Sequence, residues 1–288
     1  MKMTKKFALA SLFLAVIAFS ACQKTGFSPA STESILATDN ARIDNESDNV
    51  DALVNAIALT NGMSLSGGKL EGPGIFGNIT LPVCATVTID TSSDPKSITI
   101  DFGSTPCLCD QWDGLYRQGV VEAQWTGPYH QAGSVLTITT TNYFRGVSAD
   151  QMDQIDFNKT VTNTGLNASG NMQFHSVATV NITYFNGETA NYAADKIKEW
   201  TEGASTSDLN DDVYSITGSV TGTNRNGVAF TATITTPIIR NACQWYVSGV
   251  VELVRANLPT ITLDYGNGNC DNVATITVNG QTITITLK

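Results

Sequence analysis

The chain has 288 residues, 16 Lys and Arg against 26 Asp and Glu, and a formal net charge of −10. An acidic chain without a basic cluster argues against nucleic acid as a partner and against electrostatic docking on anionic lipid head groups. Charged residues make up only 15 %, while Thr, Asn, Gly, Val and Ile dominate, which suits strands with a Thr-rich outer face rather than solvent-exposed helices.

The first segment is a targeting signal. Lys2, Lys5 and Lys6 form a basic start, Phe7 to Phe19 an apolar run, and Phe19-Ser20-Ala21 leads with small residues into Cys22. The apolar run is shorter than the roughly 20 residues a membrane-spanning helix needs, and its layout is that of a bacterial lipoprotein signal over residues 1–21. Cys22 then becomes the lipidated first residue, and several acyl chains make the anchor durable. The mature chain, without Lys2, Lys5 and Lys6, sits near −13. The location expected is the outer membrane, lipid-anchored, on a face the sequence does not choose.

Residues 22–47 read as a flexible tether, rich in Ser, Thr, Ala, Asn and Asp with no sustained period. A short helix is predicted over 48–60, capped by Asp48, with Val50, Leu53, Val54 and Ile57 at helical spacing. Residues 48–288 then form a single β-rich domain. Strands are predicted near 97–103, 117–125, 134–143, 155–163, 171–184, 212–221, 228–235, 243–254, 260–265, 274–278 and 283–287; the stretch 190–212 reads as strand or helical turn. Asn226-Gly227 and Asn279-Gly280 are hairpin turns. Short connections favour antiparallel neighbours. The fold expected is all-β, a mostly antiparallel meander forming a sandwich or a rolled half-barrel, with a short N-terminal helix.

Five cysteines remain beyond Cys22, in a compartment where disulfides persist. Two Cys-containing hairpins, about 83–109 and 243–270, resemble each other. A tight turn at Pro95-Lys96 sets Asp94 against Ser97, Asp90 near Asp101, and Cys84 against Cys107. Cys243 and Cys270 close the second hairpin, where a bulge is needed to bring the apolar residues onto one face. Cys109 is left over, and Cys84–Cys109 is the alternative pairing.

Signals for chemistry are sparse. His130 reads as a loop residue and His175 as a strand residue, and neither has a local nucleophile or carboxylate. No GxSxG, HExxH or phosphate-binding loop occurs. Asp150/Asp153/Asp156 and Asp208/Asp211/Asp212 cluster in turn-like stretches, where Asp is common anyway. Calcium at an Asp/Asn-rich loop is open, although none matches an EF-hand, and Cys107-Leu108-Cys109 lacks zinc-site spacing. No catalytic residue, metal or cofactor is assigned. Trp112, Tyr116, Arg117, Trp125 and Tyr129 form a candidate ligand platform for a sugar or peptide.

The segments ITIDFG (98–103), CLCDQWDGLYRQG (107–119), TVTNTGLNASGN (160–171), KEWTEG (198–203), DDVYSITGS (211–219), CQWYVSGVVEL (243–253) and TLDYGNGNCDN (262–272) resemble a family of Bacteroidetes-type exported lipoproteins of unknown function. The resemblance covers about 83–288 and implies an exported, lipid-anchored β protein, with no activity to carry over. The function expected is a non-enzymatic envelope module, bound to the membrane through its N-terminal lipid, that takes a glycan, peptide or partner protein. The alternatives are a hydrolase using paired carboxylates and a carrier of an apolar ligand inside a rolled sheet.

Overall fold

Fourteen strands and one helix make up the computed structural model, which describes residues 31–60, 81–110, 113–206, 208 and 210–287. The signal segment, Cys22 and Trp112 lie outside these residues. Helix α1 is Thr32–Thr60. The strands are β1 (Thr86–Asp90), β2 (Lys96–Asp101), β3 (Cys107–Leu108), β4 (Tyr116–Thr126), β5 (Val135–Ser148), β6 (Gln151–Leu166), β7 (Met172–Thr183), β8 (Thr189–Glu202), β9 (Val213–Thr223), β10 (Ala229–Arg240), β11 (Ser248–Val254), β12 (Ile261–Asn267), β13 (Val273–Val278) and β14 (Gln281–Thr286).

They form one sheet in the order β1-β2-β4-β5-β6-β7-β8-β9-β10-β11-β12-β13-β14, with β3 on the side of β4. Every pairing is antiparallel. The meander predicted from the short connections is therefore present, as a single open sheet and not as a two-sheet sandwich. Period-two patterns set its faces: Ile98 and Ile100, Val121 and Ala123, Ile261 and Leu263 are all buried, while the intervening Thr99, Glu122 and Thr262 are partly exposed. Asn279 and Gly280 both have positive φ, 51° and 75°, as a two-residue hairpin of this type requires. Within the stretch 190–212, residues 190–202 are strand and supply most of β8.

Two sequence expectations are corrected here. First, β1 and β2 pair with Asp90 opposite Ser97 and Asp101 opposite Thr86. Asp90 and Asp101 thus lie at opposite ends of the hairpin. The turn is wider than a Pro95-Lys96 corner because Asp90 accepts hydrogen bonds from the backbone and hydroxyls of Ser92 and Ser93. The apolar set Val87, Ile89, Ile98 and Ile100 still shares a face, since a four-residue slip preserves parity. Second, residues 32–47 are helix and not tether. The helix starts at Ser31, whose Oγ accepts from the Ser34 N–H at 3.2 Å, and not at Asp48. No Gly or Pro interrupts 32–60.

The disulfides Cys84–Cys107 and Cys243–Cys270 are formed, and Cys109 is a buried free thiol. The bulge expected in the second hairpin is the register shift between Ser248 and Val250 against β12.

Helix α1 is polar but buried on every side. Thr32 alone is exposed among its described side chains. Six carboxylates (Glu33, Asp39, Asp44, Glu46, Asp48 and Asp51) accompany one arginine, Arg42. Their partners come from right across the sheet. Lys159 of β6 holds Asp51 at 2.5 Å and Ser47 at 3.0 Å. Lys196 of β8 holds Asp44 at 2.6 Å, Arg240 of β10 reaches Asn49 at 3.2 Å, and Arg255 beyond β11 meets Glu33 at 3.4 Å. One helix can touch side chains from β5 to beyond β11 only if the sheet curls around it. The apolar residues of α1, such as Leu36, Leu53 and Ile57, join the same core as the strands.

This arrangement predicts that Lys159→Met destabilises the protein by about 3–5 kcal/mol, because Asp51 is left buried without its cation. The double variant Lys159→Met/Asp51→Leu recovers most of that loss. Urea unfolding at pH 7 measures both; a single-variant loss under about 1 kcal/mol would contradict the assignment.

Candidate functional site

A break in the alternation of β5 builds the site. On β5, Leu136 and Ile138 point inward at even positions, whereas Tyr143 and Arg145 point inward at odd ones. The register slips between Thr139 and Phe144, and Asn142 has φ 47°, which marks a bulge that reverses the parity of the strand. Gly119 on β4 makes room for it, since a Cβ there would lie 1.9 Å from the Asn142 carbonyl oxygen. The bulge turns Arg145 from the outer face to the interior, where it is 5 % exposed.

Arg145 lines a cleft of about 460 Å3 between the N-terminal half of α1 and the far end of the rolled sheet. Thr38, Asp39 and Arg42 enter it from the helix, Asp153 from β6, Phe185 from the β7–β8 turn and Arg225 from the β9–β10 turn. Gln244 and Trp245 before β11 and Leu287 after β14 close the opposite wall, with Leu115 and Val147 beside them. Phe185 and Val147 are exposed at the mouth, 59 % and 63 %.

Ion pairs hold this geometry. Arg225 forks onto Asp39 at 2.8 and 2.6 Å and lies 3.7 Å above the Tyr184 ring. Arg42 meets Asp153 at 2.6 Å, and the other Asp153 oxygen accepts the Phe185 N–H at 2.9 Å, tying the β7–β8 turn to the helix. Arg117 forks onto Asp113 at 2.8 and 2.6 Å and donates to Tyr143 Oη at 3.1 Å. Arg145 differs from these. Its Nε lies 2.9 Å from Glu46 Oε2, yet the N–H is misdirected, so both atoms are buried without a formed hydrogen bond. The contact is coulombic, and among the described residues no acceptor takes a hydrogen bond from this guanidinium.

Two carboxylates of the cleft are pushed in opposite directions. Burial raises the Asp39 carboxyl above its ordinary value, against the pull of Arg225. Burial also opposes ionisation of Asp113, but hydrogen bonding and charge from Arg117 outweigh it and hold that carboxyl low.

The aromatic platform expected from the sequence does not assemble. Arg117 is fully buried and committed to Asp113, and Trp125 and Tyr129 are core residues. Tyr129 stacks on Phe174 at 4.9 Å. Tyr116 occupies the opposite face of β4 from Arg117, and Trp112 lies outside the described residues. Among the Asp clusters, Asp153 belongs to the cleft while Asp150 and Asp156 are exposed. Asp212 is buried and accepts from Trp200 Nε1 at 3.1 Å. His175 pairs with Asp195 at the surface, and His130 packs on Trp200. Among the described residues no group of His, Cys, Asp and Glu is placed to hold a metal ion. Arg42, Arg145, Arg225 and Trp245 went unassigned in the sequence. The Gly119 and Asn142 positions carried the only local hint, because they sit inside runs that otherwise alternate.

No protein-family model matches the chain, and neither does any curated protein or any solved structure.

The Asp113–Arg117 pair yields a pH prediction. A carboxyl held low in the folded state contributes stability that is present above its ordinary value of 3.8 and lost as the pH falls below it. Asp113→Asn should therefore cost about 3 kcal/mol at pH 7, and the gap from wild type should narrow between about pH 5 and pH 3. Chemical unfolding across that range measures it; a gap independent of pH would refute the linkage.

Proposed function

We propose that this protein is a non-enzymatic binding module of the cell envelope, anchored to the outer membrane through acyl chains on Cys22, which takes a glycan, peptide or partner protein in the cleft at the N-terminal half of α1. The observation that carries this reading is the cleft itself. It has the size of small-ligand sites, roughly 300–1,000 Å3, and combines apolar residues such as Leu115, Phe185, Trp245 and Leu287 with fixed polar and charged groups.

The interior of the roll supports the same reading over that of an apolar carrier. Helix α1 fills it, and the cavity alongside the helix is about 40 Å3 with Asp44, Asp48, Lys159 and Lys196 in its walls. Such a space suits a few waters; an apolar ligand needs several hundred Å3. Attachment through lipid also accords with the surface. No Lys or Arg between residues 97 and 287 is exposed, whereas Asp101, Asp156, Asp195 and Glu252 are.

A hydrolase is the second reading, favoured by the opposite shifts of Asp39 and Asp113 within one cleft. Against it, both oxygens of Asp39 and of Asp113 already accept hydrogen bonds from Arg225 and Arg117, which a reaction at either carboxyl would have to displace.

Two measurements test the proposal. Cys22→Ser should move the protein from the membrane fraction to the soluble one; unchanged fractionation would remove the anchor. Thermal-shift screening against oligosaccharides and peptides, with chromatography of the same samples, should show raised melting temperatures and intact ligand. Turnover abolished by Asp39→Asn would replace the module with the hydrolase.

A further inference from the structure

We propose that the ligand of the cleft is a neutral, short oligosaccharide, gripped by Arg145 and stacked on Trp245. This rests on the binding-module reading and names its ligand class.

Charge comes first. The four guanidiniums at the site are each matched by a carboxylate: Arg42 by Asp153, Arg145 by Glu46, Arg225 by Asp39 and Arg117 by Asp113. The cleft has no net charge to attract an ion of either sign. An incoming carboxylate would meet Asp39, Asp113 and Asp153 on the walls as well as the arginines, and like charges at such distances repel strongly in a half-buried site. A basic ligand meets the arginines in the same way.

What the walls offer instead is a mixture of donors and acceptors. Arg145 is 95 % buried by its 5 % exposure, faces the cleft, and gives no formed hydrogen bond to any described residue. A buried guanidinium with open donors is costly unless a ligand or water satisfies it. Arg42, one-quarter exposed, adds donors beside it. Asp39 and Asp153 have acceptor capacity beyond their arginines, and Gln151 and Gln244 supply both kinds of group. A hydroxyl donates and accepts at once, so a ring bearing several hydroxyls satisfies both sets without bringing charge.

Shape separates a sugar from a peptide. Peptides gain affinity by pairing their backbone with an unpaired strand edge. The strands that line the cleft, β5 and β6, are paired on both sides, and the edge strand β14 reaches it only through Leu287, past its last residue, whose N–H is taken by the Asn272 carbonyl. Trp245 is half-buried in the wall and Phe185 is exposed at the mouth, and flat aromatic faces suit the C–H face of a pyranose ring.

The test uses purified Cys22→Ser protein, which keeps every described residue. It is titrated with cellotriose, maltotriose and xylotriose, with a trimer of glucuronic acid, and with the tripeptide Ala-Leu-Phe, followed by calorimetry and tryptophan emission. At least one neutral trisaccharide should bind with Kd below about 1 mM and shift the emission. Trp245→Leu should remove the emission shift and weaken binding by about tenfold or more. The double variant Arg145→Gln/Glu46→Gln leaves no buried unpaired charge, so it should fold with an unchanged unfolding midpoint and still lose about tenfold in affinity. If none of the neutral trisaccharides binds, or the acidic trimer or the peptide binds more tightly, the saccharide assignment is overturned while the module reading stands. Binding that survives both variants would also overturn it, by moving the ligand out of this cleft. Cleavage of a trisaccharide would instead overturn the module reading and leave the ligand class in place.

Discussion

Burying a polar helix is the constraint on which the rest of this structure depends. A helix whose entire circumference is covered is ordinarily hydrophobic all round, yet α1 brings six carboxylates into the interior. Each buried charge costs several kcal/mol in lost hydration, and only a close, well-directed counter-charge offsets it. The sheet supplies those counter-charges from β5, β6, β8, β10 and the segments beyond β9 and β11. The ion pairs therefore contribute little net stability. They decide where the helix sits along the roll, since sliding it by one turn would leave most charges unmatched. Hydrophobic contacts of Leu36, Leu53, Val54 and Ile57 with the strands supply the general attraction, which is indifferent to such sliding.

Placing the helix also places the cleft. Toward its N-terminal half α1 meets turns and strand ends more than continuous sheet, so the polar groups there are held without being covered. Arg42, Asp39, Asp153 and Arg225 form a rigid frame around open space. The bulge at Asn142 then adds Arg145, whose partner Glu46 is close but poorly aligned. Strain of this sort is tolerated where the surroundings over-determine it, and binding sites are a common setting. Along the rest of the helix the pairs are closed off, and the remaining space is a small charged cavity.

Most of the sheet was legible because its strands bury one face and expose the other. Ala274 to Val278 and Ile283 to Leu287 show the period directly, and Asn279-Gly280 states the turn between them. The bulge near Ser248 followed from the same parity argument, whereas Cys84–Cys107 forms although the register that suggested it is four residues off, and Cys243–Cys270 was read from the closure of its hairpin. The helix was half hidden. Its C-terminal part packs through Val50, Leu53, Val54 and Ile57 and so displays an apolar period, while residues 32–47 bury Asp39, Asn40, Asp44, Asn45 and Glu46 among Leu36, Ala37, Ala41 and Ile43, which breaks the period up. Polar packing leaves no hydropathic trace, and a buried Asp reads like a solvated one. The cleft was illegible for a related reason: its residues come from the helix, two strands, two turns, the segments before β4 and β11, and Leu287 after β14. The platform proposed around Arg117 failed because parity sends neighbouring Tyr116 and Arg117 to opposite faces.

The same distribution of charge bears on how the molecule meets a membrane. Most cations of the sheet are turned inward: Lys96, at the start of β2, is exposed, but between residues 97 and 287 the exposed charges are Asp and Glu and not Lys or Arg. Such a face is repelled by anionic head groups, which accords with the attachment proposed through acyl chains and not with electrostatic docking. Only nine residues, 23–31, separate Cys22 from the first helical residue. Even fully extended, nine residues span about 30 Å. Thr38, Asp39 and Arg42 lie within the first three turns of α1 and line the cleft. The anchor proposed at Cys22 would therefore keep the cleft within tens of Å of the bilayer surface, while the acidic face would resist lying flat on it.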